Sequence, residues 1–588
     1  MNETRPPAIV SLERLRASLA DAGLDLPLEG AAEHREAAAA AVRQIDDYIR
    51  PRLADLDAPL LAVVGGSTGS GKSTIVNAMI GAPITRVGVI RPTTRQPILV
   101  HSPADAGWFA SDRILPGLAR VRGTLSTPGT HATAAGDLPT VSRINELMLL
   151  AHEQVPASLA IVDAPDIDSV ADENRALAAQ LLAAADLWLF VTTANRYADA
   201  VPWRLLEGAA GRSVTVGVVL NRVPPGAVDD VLPDLTAMLA ARGLTDAPIF
   251  VIQEQTLDAL GMLPPSAVEA PLHWLTSIAG DRAERTRIAA RTLSGTITDL
   301  DRRVAAIATA RQEQLAWIDR AEAMAKAEYE SALDSVDEAT KDGALLRGEV
   351  LARWQDFVGT SDVFRTIESW FSRTRDSVTA WITGKPSPVI AVETQIESGL
   401  HAVIVDQGGR AAGAVWAELQ RSAAGRQIAE AQPALASETK GFTDDAAAMI
   451  RGWQGSLLKL VQDNAGSKRV RARVLSLGLN VVTVALMIVV FASTGGLTGG
   501  EILIAGGSAV LGQKLLETVF GEDAVRRLAA EARRDLQQKV RALFDSERAR
   551  FAAALEPVRF GSTPESLRRE STALLEDVAR AAHPEPRS

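Results

Sequence analysis

The sequence predicts an α/β domain on a mostly parallel sheet with flanking helices, and then a long all-α helical trunk interrupted by a hydrophobic hairpin. Short apolar runs alternate with helical segments between about residues 56 and 280, which is typical of α/β domains. Beyond Arg282 the strand signals vanish, and apolar residues recur at helical spacing among many charged residues. Two apolar runs without charge, near 474–512, then interrupt the helical pattern.

The composition limits the classes of function. Hydrophobic residues make up 47% of the 588 residues and aromatic residues only 4%, which favours a helix-rich protein with a sizeable core. The 61 basic and 72 acidic residues leave a net charge of −11, so we expect no nucleic-acid partner. There is no cysteine, which excludes disulfides, thiolate metal sites and cysteine nucleophiles. The first residues lack a secretion-signal pattern, so we expect the bulk of the protein inside the cell.

Two helical segments precede the first strand. Ser11 is interpreted as an N-cap ahead of an apolar stripe, and a second stretch runs from about Ala31 to Leu53. We expect these helices, residues 1–55, to pack on the trunk.

The α/β segment begins at the apolar run Leu60–Val64, which ends in a glycine-rich turn and enters a helix, Thr74–Ile80. Further helices are predicted near Asn174–Ala184 and Leu232–Arg242. The remaining predicted strands are Leu159–Val162, Leu187–Val191, Val214–Leu220 and Ile249–Ile252.

The glycine-rich turn matches the phosphate-loop pattern G-x-x-x-x-G-K-[ST] and has the required strand before it and helix after it. Its residues are Gly66, Ser67, Thr68, Gly69, Ser70, Gly71, Lys72 and Ser73, followed by Thr74. Backbone N–H groups and the helix N-terminus would bind phosphates, and Lys72 would lie between the β- and γ-phosphates. Ser73 would supply a hydroxyl to Mg²⁺. An ordinary glycine-rich turn is the alternative, but it needs no lysine and hydroxyl residue there.

A nucleotide hydrolase also needs a second group for the metal and a residue that senses the γ-phosphate. Asp163 ends the predicted strand Leu159–Val162 and opens the run Asp163-Ala164-Pro165-Asp166, so we assign it to the metal and to catalysis. An aspartate that simply caps the turn is the alternative. Thr93 and Thr94 follow Arg91-Pro92, and one of them is a candidate to close on Mg²⁺ and the attacking water; we assign Thr94 to the metal.

Together these residues resemble the dynamin superfamily, specifically the bacterial dynamin-like large GTPases. The resemblance rests on the phosphate loop with its helix, on Arg91-Pro92-Thr93-Thr94, on Asp163-Ala164-Pro165, and on Asn221-Arg222 as the start of a base-recognition motif. It implies GTP and Mg²⁺ as cofactors, a P-loop GTPase head, a helical trunk and a membrane-binding tip. It also implies homo- or hetero-oligomers that pair through the head.

Three positions depart from the pattern of that family. Asp166 replaces the glycine of D-x-P-G, and Pro224 replaces the aspartate of N/T-K-x-D that accepts hydrogen bonds from guanine. Asp229 and Asp230 are the nearest carboxylates to Pro224, and an ATP-specific P-loop ATPase stays open as an alternative. Gly69 stands where dynamins commonly carry a catalytic serine, so Ser67, Thr68 or Ser70 would supply such a hydroxyl.

Two other nucleotide-binding classes fit less well. An ATP-binding cassette accounts for the phosphate loop, but no catalytic glutamate follows Asp163 and no full signature sequence is present. A ribosome-assembly GTPase leaves the apolar runs unexplained, and the acidic balance offers no basic RNA-binding face.

The apolar runs predict a membrane-inserting hairpin. Val474–Ala492 has nineteen residues without charge, which as one helix would span about 28 Å, close to the hydrocarbon thickness. The second run, Ile502–Gly512, is shorter, so the hairpin crosses twice or is re-entrant; a buried core helix is the alternative for the first run. The basic residues Lys468, Arg469, Arg471 and Arg473 precede it, which predicts contact with anionic lipids. They also place the head and trunk on the cytoplasmic side of the cell membrane.

The predicted organisation has six segments. They are the N-terminal helices at 1–55, a nucleotide-binding (GTPase) domain at 56–280, the helical trunk at 281–467, the hairpin at 468–515, C-terminal trunk helices at 516–582, and a tail at 583–588. An apolar stripe from Phe364 to Ile382 is interpreted as a core face of the trunk, and a second membrane contact is the alternative. The function predicted from this organisation is GTP hydrolysis coupled to membrane binding or remodelling. The alternative is a membrane-anchored, nucleotide-dependent switch or scaffold with weak or no hydrolysis.

Overall fold

The computed structural model describes residues 6–84, 96–123, 145–169, 171–341, 388–466, 468–492 and 506–582. Thr93 and Thr94, the stripe 364–382, the glycine-rich turn between the apolar runs and the tail 583–588 lie outside the described residues. The chain forms two compact units. The first is built from Met1–Leu24, Glu29–Glu313 and Gly561–Ser588, and the second from Asp25–Leu28 and Gln314–Phe560.

The first unit contains one sheet to which the described residues contribute eight strands. In chain order these are β1 (Leu60–Gly66), β2 (Ile98–His101), β3 (Ala119–Arg122), β4 (Glu146–Ala151), β5 (Leu159–Asp163), β6 (Leu187–Thr193), β7 (Thr215–Val223) and β8 (Ile249–Gln253). Their order across the sheet is β3-β4-β2-β5-β1-β6-β7-β8, and every described pairing is parallel except that of β2 with β5. The predicted mostly parallel sheet is therefore confirmed.

The sequence analysis did not predict β2, β3 and β4. Each has only four to six residues, and the exposed ends of β3 give it no continuous apolar run. Of the five predicted strands, β1, β5, β6 and β7 contain continuous runs of buried residues, because both faces of the sheet are covered there, whereas β8 is only partly buried.

Helices cover both faces of the sheet. The helices of the first unit are α1 (Pro7–Ala20), α2 (Ala31–Gln44), a π-helical turn (Ile45–Ile49), α3 (Arg50–Ala54), α4 (Lys72–Ile80), α5 (Ala106–Phe109), α6 (Asp172–Ala183), α7 (Ala200–Gly211), α8 (Val228–Ala240), α9 (Pro265–Gly280) and the first part of α10 (Arg282–Lys341). A 3₁₀ turn, Pro103–Asp105, precedes α5. Leu61 and Val63 of β1 pack with α6, α7 and α8, whereas Ala62 and Val64 pack with α4 and α9. The strand period of two thus places β1 at the centre of two cores.

The N-terminal helices pack within the first unit. Leu12, Leu15 and Leu19 of α1 share a core with Leu300 of α10 and with Leu567 of the C-terminal helix, Pro564–Ala582. The predicted N-cap at Ser11 is wrong, because α1 begins at Pro7. Ser11 is instead buried inside the helix, and its hydroxyl donates to Asp577 at 2.5 Å.

The described residues of the second unit form helices joined by short non-helical segments, without a strand. Besides the rest of α10 it contains α11 (Pro388–Leu419), α12 (Ala423–Ala431), a 3₁₀ turn (Pro433–Ala436), α13 (Phe442–Asn464), α14 (Lys468–Leu477), α15 (Leu479–Ala492), α16 (Gly506–Phe520) and α17 (Glu522–Arg559); the helix Pro564–Ala582 of the first unit is α18. Trp453 of α13 is fully buried, contacts Phe491 of α15, and donates its indole N–H to the Ala532 carbonyl of α17. The predicted helical trunk is confirmed.

The first apolar run does not form one helix. Gly478, with φ +85°, separates α14 from α15, so the prediction of a continuous helix over Val474–Ala492 is wrong. A left-handed glycine is a common way to end a helix. The fourteen residues of α15 span only about 21 Å, and Val482–Phe491 are all buried in the core of the second unit. The described part of the second run, from Gly506 to Gly512, lies in α16, which continues to Phe520.

Within the described residues no individual helix has the length and hydropathy of a membrane span. Only Lys468–Leu475 and Leu479–Ala492 meet that test together, as a pair bent by 94°. The membrane-inserting hairpin therefore stays a prediction.

Candidate functional site

The glycine-rich turn connects β1 to α4 at the carboxyl edge of the sheet. Gly71, at φ +93°, is the N-cap of α4, and a Cβ there would lie 2.4 Å from Nδ2 of Asn221. A Cβ on Gly66 would lie 2.0 Å from the Val191 carbonyl oxygen of β6. Only glycine fits at these two positions, so the turn can wrap tightly ahead of the helix N-terminus.

Lys72 is buried at the start of α4, with 5% of its surface exposed. Its ammonium group donates to the carbonyl oxygens of Gly66 at 3.0 Å and Ser67 at 3.1 Å. It also forms an ion pair with Asp166, at 2.5 Å between Nζ and Oδ1. The lysine is thus held over the turn, and its third donor points to the loop after β5.

Ser73 and Asp163 meet beside this turn. The Ser73 hydroxyl donates to Oδ2 of Asp163 at 2.7 Å, while Oδ1 of Asp163 is buried without a hydrogen-bond partner among the described residues. Burial raises the pKa of Asp163 to about 6, against the opposing effects of the Ser73 hydrogen bond and the Lys72 charge. A hydroxyl beside a buried carboxylate with a free oxygen fits the oxygen ligands that Mg²⁺ prefers.

Asp168 and Arg196 bind the same turn from another side. Oδ1 of Asp168 accepts from the backbone N–H of Thr68 at 2.6 Å and from its hydroxyl at 2.7 Å. Arg196, after β6, donates to the Thr68 carbonyl at 2.9 Å and to Oδ2 of Asp168 at 2.7 Å, and also pairs with Asp199. Burial opposes ionisation of Asp168, but the hydrogen bonds from Thr68 and Arg196 outweigh it and lower its pKa.

The sequence analysis assigned no role to Asp168 or Arg196. The available signal was position: both follow strands that neighbour β1, and the carboxyl ends of parallel strands meet at one edge of the sheet.

Asn221 lies on β7, and its amide Nδ2 donates to the Ser70 carbonyl at 2.8 Å. The Asn221 side chain thus contacts and stabilises the turn and does not extend away from it. Arg222 is exposed with its backbone at φ +54°, and Pro224 follows directly after β7. Asp229 and Asp230 lie in the exposed first turn of α8.

The remaining predicted residues of the turn differ in their contacts. The hydroxyls of Ser67 and Ser70 are buried and have no hydrogen-bond partner among the described residues, whereas that of Thr68 donates to Asp168. Gly69 adopts φ +74°, and Thr74 is buried in α4. The structure therefore brings the predicted set together at one edge of the sheet, except Thr93 and Thr94, which are not described.

Residues 61–218 match the model of the dynamin family. No curated protein matches the chain. Among solved structures, a chain from an oligomerised bacterial dynamin pair, described as a mechanism for long-range sensing and tethering of membranes, has 10% identity and a TM-score of 0.37, with 97% of this chain and 95% of that chain covered. The bacterial dynamin GTPase LeoA from ETEC has 11% identity and a TM-score of 0.22, with 98% of each chain covered.

At such TM-scores the two likenesses carry no argument about function or assembly. The family match covers the phosphate loop and the strands β1 to β6, together with the first residues of β7. Over residues 61–218, which contain the phosphate loop, the chain is thus similar to the dynamin family.

Proposed function

We propose that this protein binds and hydrolyses GTP with Mg²⁺ and couples this cycle to the binding of a membrane. The observation that carries the proposal is the arrangement of Lys72, Ser73 and Asp163 around a glycine turn that only glycine can form. This is the donor set that phosphoryl-transfer enzymes need to position phosphates and neutralise their charge.

Each residue has a distinct role in the proposed reaction. Backbone N–H groups of the turn and of the α4 N-terminus bind the phosphates, and Lys72 binds between the β- and γ-phosphates. Ser73 and Asp163 would hold Mg²⁺, which when bound neutralises charge that builds on the transferred phosphate. Asn221 keeps the turn in shape through Ser70. The catalytic threonine role stays with Thr93 or Thr94.

GTP is the proposed nucleotide because of the dynamin-family match, and ATP is the alternative. Pro224 offers no carboxylate to the guanine N1–H and amino group, and Asp229 and Asp230 are the closest candidates in sequence.

Steady-state hydrolysis of GTP and ATP by the full-length protein tests the proposal directly. Lys72→Ala is the blank, because it removes the cation held over the turn. Lys326→Ala, which removes an exposed lysine of α10, is the matched control. Turnover of GTP that Lys72→Ala abolishes and Lys326→Ala keeps is expected. Turnover of ATP alone would establish the ATPase alternative, and turnover of neither would contradict hydrolysis.

The proposed membrane contact is the segment 468–515 of the predicted organisation, which contains α14, α15 and the first part of α16. α14 exposes basic side chains and also Leu475, which is 80% exposed, and the apolar α15 follows directly. Basic residues beside apolar surface attract anionic bilayers. Because Val482–Phe491 are buried in the second unit, insertion of α15 requires it to leave that core.

Flotation with vesicles separates the lipid contact from simple loss of charge. We expect Lys468→Glu with Arg469→Glu to reduce binding to vesicles that contain phosphatidylglycerol. The pair Arg451→Glu with Lys459→Glu makes the same charge change on the exposed face of α13 and should bind as the wild type does. Equal loss in both pairs would reduce the effect to net charge, and no loss in either would contradict α14 as the contact.

We also propose, from the family match, that chains associate through the nucleotide-binding head. Light scattering of the full-length protein with and without a non-hydrolysable GTP analogue tests it. A mass that rises with the analogue, but not in Lys72→Ala, is expected; a mass independent of nucleotide would contradict pairing through the head.

A second candidate function is a nucleotide-dependent switch or scaffold with little turnover. Two features favour it. The Asp166 carboxylate forms an ion pair with Lys72, and Gly69 supplies no hydroxyl at the position of the dynamin serine. Lipid-stimulated turnover that disappears in Lys72→Ala would exclude this candidate.

A further inference from the structure

The ion pair between Lys72 and Asp166 has a consequence for the nucleotide that the site prefers. All three donors of the Lys72 ammonium are engaged: two by carbonyl oxygens of the turn and one by the Asp166 carboxylate. A γ-phosphate that binds between this lysine and the turn needs the donor that Asp166 holds. It would also bring negative charge against that carboxylate.

We propose that Asp166 determines the preference of the site between nucleoside diphosphate and triphosphate by occupying the Lys72 donor that a γ-phosphate requires. The inference rests on the proposed function, because it assumes that the nucleotide binds at this turn. A diphosphate requires a Lys72 donor for its β-phosphate alone, whereas a triphosphate requires one for its γ-phosphate as well and brings that charge against the Asp166 carboxylate. The carboxylate therefore lowers affinity for the triphosphate relative to the diphosphate.

The loop that carries Asp166 is held in the position this competition needs. Two residues further on, Asp168 is anchored to Thr68 and Arg196, and the Ile167 N–H donates to the Gly66 carbonyl at 3.4 Å. Asp166 itself is 25% exposed at its side chain, so it has room to turn away. The loop is thus fixed beside the turn, and only the carboxylate has to move.

The charges around the site strengthen the effect. Among the described residues, Lys72 and Arg196 are the cations that contact the turn, and Arg196 is already shared between Asp168 and Asp199. Displaced from Lys72, Asp166 finds no second cation in the described contacts of the turn. Its repulsion of a γ-phosphate is therefore not compensated by the cations that contact the turn among the described residues.

Equilibrium titration of the full-length protein with fluorescent GDP and with a fluorescent non-hydrolysable GTP analogue, both in Mg²⁺, tests the inference. Asp166→Asn keeps the shape of the side chain and removes its charge. We expect the ratio of triphosphate to diphosphate affinity to rise about tenfold, which corresponds to about 1.4 kcal/mol. Asp166→Gly, the residue of the family motif, should change the ratio in the same direction.

Asp172→Asn is the matched control, because Asp172 is exposed on α6 and pairs only with Arg175 among the described contacts. It removes the same charge nearby and should leave the ratio unchanged. A ratio that stays constant in both Asp166 variants while both nucleotides bind would overturn the inference and leave the proposed function intact. Absence of binding by either nucleotide, in the wild type and in the variants, would instead overturn the proposed function. Circular dichroism establishes that each variant is folded, and an unfolded Asp166→Asn leaves the decision to Asp166→Gly.

Discussion

Arg222 adopts a left-handed backbone conformation directly after the buried Asn221. A side chain other than glycine, asparagine or aspartate rarely adopts a φ of +54°, and the cost for such a residue is about 1–2 kcal/mol. Strain of this kind persists where neighbouring contacts enforce it, here the Asn221 amide on the Ser70 carbonyl. The position belongs to the predicted base-recognition motif.

Arg222→Gly should therefore stabilise the protein. Relief of strain, less the extra entropy of glycine in the unfolded chain, predicts a gain of about 0.5–1 kcal/mol in the free energy of unfolding, measured by urea denaturation. Arg204→Gly, at an exposed position of α7, should lose about 1 kcal/mol because its backbone is helical. A loss in both variants would contradict the strain argument. The GTP affinity of Arg222→Gly, measured in parallel, reports whether the arginine contacts nucleotide.

Asp47 is buried beside α6, where its Oδ2 accepts from the Gln180 amide at 2.8 Å. Burial raises its pKa from 3.8 to about 6, and the neighbouring Asp46 charge adds to this. The folded protein thus holds a proton more tightly than the unfolded chain does. The contribution of Asp47 to stability is lost as pH rises from 3.8 to about 6, and it stays lost above that range.

Asp47→Asn should remove this pH dependence, because the amide oxygen still accepts from Gln180 but never ionises. We expect the variant to be more stable than the wild type by about 1–3 kcal/mol at pH 8, with the difference vanishing below pH 4. Thermal unfolding across this range measures it. The exposed Asp172→Asn is the control, and a pH-independent difference for Asp47→Asn would contradict the assignment.

At the scale of elements, the apolar run illustrates how one glycine changes the interpretation of a segment. Composition and length over Val474–Ala492 predicted one helix near membrane thickness, yet Gly478 divides it and α15 is buried. A helix that is apolar on all sides must be buried in protein or lipid, and composition alone does not distinguish these two environments.

Gly478→Ala should shift the segment towards a continuous helix. Alanine is strained by about 1–2 kcal/mol in the bent form, at φ +85°, but is favoured in a straight helix. A Cβ at Gly478 would meet only Val481 at 4.0 Å, so the effect is one of backbone conformation and not of collision. We expect more protein to float with phosphatidylglycerol vesicles.

Gly521→Ala is the matched control for this change, since Gly521 also has φ +85° and open space around its Cβ position. It lies before α17, outside the apolar segment, and should lose stability without binding more lipid. Equal vesicle binding in both variants would show that strain alone, rather than the continuity of this helix, controls membrane contact.

At the scale of the whole molecule, the chain has two units with separate cores. The cores of the first unit lie on the two faces of the sheet and among the N-terminal helices, and the core of the second unit contains Trp453 and the helices around it. Proteins with separate cores often unfold in more than one transition. A bound ligand raises the unfolding temperature only of the unit that binds it.

Calorimetry of the full-length protein should show two transitions. Nucleotide at about 100 times its dissociation constant should raise the free energy of unfolding of the first unit by about 2.7 kcal/mol, because the site lies in that unit. Trp453→Ala should lower the free energy of unfolding of the second unit by about 3–5 kcal/mol, since it opens a cavity there. If nucleotide and Trp453→Ala move one common transition, the units unfold as one.

The sequence by itself determined the phosphate loop, five strands of the sheet, the helical trunk and the place of Asp163. These are local patterns. A glycine spacing, an apolar run or a helical period is contained in a short stretch of neighbouring residues and does not depend on the rest of the chain. The dynamin-family resemblance follows from the same local motifs, and the family match over residues 61–218 confirms it.

Only the tertiary structure decided which side chains meet. Lys72 and Asp166 are 94 residues apart in the chain, and Thr68 and Arg196 are 128 apart. Their contacts depend on the order of β5, β1 and β6 in the sheet, which no local pattern encodes. The bend at Gly478 and the burial of α15 are of the same kind, because a helix of given composition takes its environment from the elements packed around it.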